Sequence, residues 1–173
     1  MSTPAAYRLR AYRFPAGADF GGHLAGALER ILLVGGGDLC DALFVMRDER
    51  GGEPMAIDLR TASAGGTLAA MLDFRLDERR RRALTDDMLA PAVGGIDRAV
   101  VDEVAAALAP GGALLAVVSA GPAHALADAA ARTGGQLVAD EPAGVDRIAG
   151  LEPGVLARVA RGPQSTATSI DTT

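Results

Sequence analysis

The sequence predicts an α+β fold: a ferredoxin-like split βαβ sandwich with a helical insertion and an added C-terminal αβ unit. Three observations predict it. Residues 39–60 read as a β-hairpin, two apolar runs joined by Asp48-Glu49-Arg50-Gly51-Gly52. Residues 113–118 form a nearly continuous apolar run, the pattern of a central strand. Strand and helix patterns follow one another as strand, helix, strand, strand, helices, strand, helix, short strand. That order is βαββαβ with additions, and the hairpin argues against a doubly wound parallel sheet.

Taken in order, residues 7–14 alternate, with Tyr7, Leu9, Ala11 and Arg13 on one side and Arg8, Arg10, Tyr12 and Phe14 on the other. A half-buried first strand is expected, because residues two apart share a face. Pro15-Ala16-Gly17 ends it. Phe20, Leu24, Ala27, Leu28, Ile31 and Leu32 recur at helical spacing behind Asp19 as a cap, and Gly35-Gly36-Gly37 stops that helix. The hairpin follows, with Met55, Ile57 and Leu59 alternating against Ala56 and Asp58. Residues 61–95 read as an inserted helical or mobile segment. Asp97 caps a helix whose stripe is Val100, Val101, Val104, Ala105 and Leu108, and Pro110-Gly111-Gly112 ends it. After the apolar strand, Pro122 opens a helix with Leu126, Ala129 and Ala130 inward, and Gly134-Gly135 closes it. Residues 136–139 form a short last strand, and 148–159 one marginal helix. The chain reads as a single domain over 1–160, with residues 161–173 as a disordered polar tail.

Composition excludes several functions. Among 173 residues there are four Phe, two Tyr and no Trp, too few for a wall of stacked rings against nucleic acid. The net charge of -5 also argues against general affinity for a phosphate backbone, so nucleic acid is an unlikely partner. It favours a soluble protein in a cytoplasmic setting. Cys40 is the single cysteine and reads as a small buried hydrophobe, so neither a disulfide nor a Cys-rich zinc site is expected. Residues 104–127 lack Asp, Glu, Lys and Arg over a length that could cross a bilayer, but Pro110-Gly111-Gly112 and Gly121-Pro122 divide them. The chain is therefore not read as transmembrane.

Candidate sites are few. Gly35-Gly36-Gly37 follows a helix and precedes a strand, the reverse of a dinucleotide fingerprint. The Gly121 amide, after a strand and at a helix start opened by Pro122, is placed to meet an anion. Ser119 ends the central strand near His124, but Val118-Ser119-Ala120-Gly121 lacks the nucleophile-elbow pattern. His23 and His124 each open a predicted helix, and no spacing joins them into a metal or acid–base site. Asp38, Asp41 and Asp58 carry charge in or beside the hairpin, with Asp41 and Asp58 interrupting apolar strands. They read as solvent-facing or as partners of Arg8, Arg10 or Arg60, with a catalytic role as the competing possibility. Arg79-Arg80-Arg81-Arg82 is the strongest charge feature, a solvated face or a docking element for an acidic protein or membrane surface, with Phe74 nearby. No cofactor or metal is implied.

Three segments carry a resemblance: Tyr12-Arg13-Phe14-Pro15; Asp38-Leu39-Cys40-Asp41-Ala42-Leu43-Phe44-Val45-Met46-Arg47-Asp48; and Leu108-Ala109-Pro110-Gly111-Gly112-Ala113-Leu114-Leu115 with Gly134-Gly135-Gln136-Leu137-Val138. Over residues 7–140 the chain resembles the short, largely uncharacterised actinobacterial proteins of a domain-of-unknown-function family, related in layout to a second such family first described as membrane proteins. The resemblance implies a small ferredoxin-like domain with no established reaction, and it carries over no catalytic residue. The arginine run and the tail after Asp140 depart from it.

The expected function is a non-enzymatic structural or regulatory interaction domain that self-associates, since ferredoxin-like sheets often leave a face or edge to be covered. Two other classes compete with it. One is a small-molecule-binding protein or cofactor-poor enzyme, with a pocket near Asp41, Asp58 and Arg80. The other is a peripheral docking protein using residues 79–82. Phe14, Phe20, Phe44, Phe74 and the two tyrosines are the anchors an interface would draw on.

Overall fold

A computed structural model describes residues 7–18, 39–58, 92–93 and 95–162. The predicted first helix, the insertion through residue 91 and residues 163–173 of the polar tail lie outside the described residues, whereas Arg161, read as the first tail residue, ends a helix. The elements are β1 (Arg8–Phe14), β2 (Leu39–Met46), β3 (Met55–Asp58), β4 (Ala92–Val93), β5 (Ile96–Asp97), α1 (Arg98–Ala107), β6 (Ala113–Ser119), α2 (His124–Arg132), β7 (Gln136–Pro142), a 3₁₀ turn (Ile148–Gly150) and α3 (Val155–Arg161).

Five strands make one antiparallel sheet in the order β3-β2-β6-β1-β7, and β4 and β5 form a separate two-stranded ribbon. Because β1 and β2 both run antiparallel to β6, they are parallel to each other with β6 between them. Likewise β6 and β7 are parallel with β1 between them. These two interleaved pairs are the split βαβ arrangement. The C-terminal αβ unit, α2 and β7, supplies one member of the second pair, so it lies inside the motif. Among the described residues β3 is an extra edge strand that pairs with β2 alone.

Both faces of the sheet are packed. On one, Leu9, Ala11, Leu43, Val45, Leu114, Ala116 and Val118 meet Val101, Val104, Ala105 and Leu108 of α1 and its cap, and Leu156, Val159 and Ala160 of α3. On the other, Tyr12, Phe14, Ala42, Phe44, Ala113, Leu115 and Val117 meet Leu126, Ala129 and Ala130 of α2. The half-buried reading of the first strand is therefore corrected: β1 buries apolar side chains on both sides. The cause is its interior place in a sheet packed on both faces, which sequence alternation alone does not reveal. All seven residues of β6 are buried, which its unbroken apolar run foretold. Each fully buried Leu, Val or Phe contributes about 1.5–3 kcal/mol, and this two-sided burial is the main source of stability.

Local chemistry fixes the elements. Asp97 is the N-cap of α1, its carboxylate accepting the Ala99 N–H at 3.1 Å. In the hairpin loop, Asp48 Oδ2 accepts the N–H groups of Arg50 and Gly52, both at 2.8 Å, and Gly51 takes a φ of 77°. Arg47 Nη1 donates to the Leu108 carbonyl at 2.6 Å, closing the C-terminal end of α1 against β2. Arg13 Nη1 does the same for α3 by donating to the Arg161 carbonyl at 3.0 Å. The single helix expected over 148–159 is two pieces, because Pro153-Gly154 breaks it and Gly154 takes a φ of 82°.

Candidate functional site

Among the described residues, the densest polar cluster lies where β6 ends and β1 begins. Arg8 and Arg10, two apart on β1, share the face that also carries Ser119. Asp140 on β7 stands opposite Arg10 in the β1–β7 register. Its Oδ1 accepts Arg8 Nε at 2.7 Å and lies 3.4 Å from Arg10 Nε, and its backbone carbonyl accepts Arg8 Nη2 at 2.8 Å. Arg10 Nη1 donates to Ser119 Oγ at 2.7 Å and to the Gly121 carbonyl at 2.9 Å. The Ser119 hydroxyl donates in turn to that same carbonyl at 3.3 Å. Arg10 is 13% exposed, while Arg8 and Asp140, at 41% and 37%, form an open rim.

The chemistry this permits is charge recognition. A guanidinium stays protonated and so transfers no proton at ordinary pH. A serine nucleophile needs a base at hydrogen-bond distance. Among the described residues the bonds of Ser119 go to a guanidinium and a carbonyl, which activate nothing. Tyr12, two residues along the same face, feels the cluster. Burial raises its phenol pKa above 10.0, Arg10 opposes the rise and Asp140 adds to it.

Asp41 belongs to a second, structural cluster on the opposite face. It is 4% exposed, which corrects the solvent-facing reading, and among the described residues its charged partner is Arg147 in place of Arg8 or Arg10, while Arg60 lies outside the described residues. Oδ1 accepts the N–H of Ala42 at 3.0 Å, Oδ2 accepts the N–H of Ile148 at 2.8 Å, and Arg147 Nε lies 3.5 Å from Oδ2. A bulge between Leu39 and Asp41 turns the carboxylate toward the 3₁₀ turn. Asp58 sits on edge strand β3 opposite Leu43, on the same side as Asp41. His124 is exposed at the start of α2. The structure therefore does not bring His124 together with Asp41 and Asp58. His23, Asp38, Phe74 and Arg79, Arg80, Arg81 and Arg82 lie outside the described residues. Phe14, Phe44 and Tyr12 are core residues, which removes them as interface anchors.

Sequence reasoning missed Asp140 because the last strand was expected to end at residue 139. The strand runs to Pro142, accommodated by a bulge at Val138 opposite Ala11 and Tyr12. The available signal was the pair Arg8 and Arg10 at strand spacing, which needed a carboxylate on a neighbouring strand. β7 also carries Leu137, 53% exposed and the exposed large hydrophobic among the described residues.

Among the described residues no helix is long and apolar enough to cross a membrane, and no group of three His, Cys, Asp or Glu side chains could hold a metal ion. No family model, curated protein or solved structure matches the chain.

Proposed function

We propose that the protein is a non-enzymatic structural or regulatory interaction domain that self-associates in a cytoplasmic setting. The observation that carries this reading is Leu137, a large apolar side chain left open at the rim of a sheet whose faces are filled. The polar residues nearest to chemistry serve the fold instead: Asp41 anchors the 3₁₀ turn, and Arg10 and Ser119 anchor the loop into α2.

The form of the contact follows from β7. Its bulge at Val138, its charges Asp140 and Glu141 and its Pro142 all discourage addition of another strand. Contact between copies is therefore made by side-chain packing at the start of β7, with Leu137 against the same surface of a two-fold mate. Multi-angle light scattering across micromolar concentrations tests the reading. The expected mass is twice 17.6 kDa, and a mass of one chain at every concentration overturns it.

A further inference from the structure

We propose that Arg8 and Arg10 form a binding site for a phosphate group, with Asp140 as the competing anion built into the chain. Two guanidinium groups converge on a single carboxylate oxygen, Oδ1 of Asp140, from 2.7 and 3.4 Å. Among the described residues this cluster sets one carboxylate against two guanidinium groups. Glu141, the adjacent acid, does not supply the balance, because it faces the other side of the sheet and pairs with Arg158.

Arg10 is pre-positioned. Ser119 and the Gly121 carbonyl hold one of its amino groups, so its direction is fixed before any ligand arrives. Arg8 and Asp140 are the exposed members, so an anion reaches them from solvent without opening the core. A dianionic phosphate offers more charge and more acceptor oxygens than a carboxylate, and planar guanidinium forks match it in geometry. It displaces the Asp140 side chain while the Asp140 carbonyl keeps its bond to Arg8 Nη2.

The probes are inorganic phosphate and glycerol 3-phosphate, with acetate as the carboxylate control, titrated by calorimetry into the full chain. Asp140→Asn removes the internal competitor and is expected to bind phosphate about tenfold more tightly than the wild type. Arg8→Gln, an exposed change, is expected to bind about tenfold more weakly with unchanged thermal unfolding. Equal affinity for the two phosphates supports recognition of the phosphate group itself, and tighter binding of glycerol 3-phosphate supports an organic phosphate as its source. The proposal is overturned if neither the wild type nor Asp140→Asn binds either probe at roughly 10 mM. Equal affinity in the wild type, Asp140→Asn and Arg8→Gln overturns it too, as does acetate binding as tightly as phosphate.

Discussion

Asp41 Oδ2 accepts the backbone N–H of Ile148 at 2.8 Å, joining β2 to a turn 107 residues further along the chain. The bond matters because the turn leads into α3, whose Leu156, Ala157, Val159 and Ala160 are buried. A carboxylate that interrupts an apolar strand is thus the peg for the C-terminal cover of one sheet face.

Asp41→Ala should cost about 1–3 kcal/mol, since it strands the buried N–H of Ile148, while the half-exposed Arg147 returns to solvent. Asp41→Asn keeps an acceptor and should cost less than half of that. Urea unfolding of the two variants checks the order. Equal, negligible losses would show that the turn is held by apolar contacts alone.

Gly135 packs against β1 with no room for a side chain. A Cβ there would lie 2.5 Å from Phe14 Cε1 and 2.9 Å from the Ala130 carbonyl, which itself accepts the Gly135 N–H at 2.7 Å. Gly135→Ala should therefore destabilise by roughly 1–3 kcal/mol, read as a lower melting temperature. An unchanged melting temperature would mean that the ring of Phe14 moves aside freely.

Stability should fall in alkali because of Tyr12. Burial, the largest influence on it, holds the phenol pKa above its ordinary 10.0 in the folded chain. The neutral phenol's contribution is fully present below about pH 10. As pH rises beyond that, the unfolded chain ionises first, and the contribution is lost toward the folded pKa. The chain has no lysine, its 17 basic residues all being arginine, so few other groups titrate in this window. Tyr12→Phe should flatten the decline in melting temperature above pH 10, and an equally steep decline in the variant would assign it elsewhere.

Much of the fold was legible because its signals are local. The hairpin turn, the Asp97 cap, the unbroken run of β6 and the inward stripe of α2 each need only neighbours in sequence. What was not legible depends on partners far along the chain. The placing of β3 at an edge and the two-sided burial of β1 follow from strand order, which alternation does not encode. The Asp41–Ile148 bond and the Arg8–Asp140 pair each join residues more than a hundred apart. The extension of β7 to Pro142 was hidden because Asp140, Glu141 and Pro142 are poor strand formers, held there by pairing with β1.

Leu137 tests the account's central claim most directly. Sedimentation velocity of the wild type and Leu137→Glu, at matched micromolar concentrations, separates association from folding, because an exposed side chain contributes little to the core. The account predicts a wild type at twice 17.6 kDa and a folded variant at one chain's mass. A wild type that sediments as a single chain, or a variant that stays paired, would contradict it.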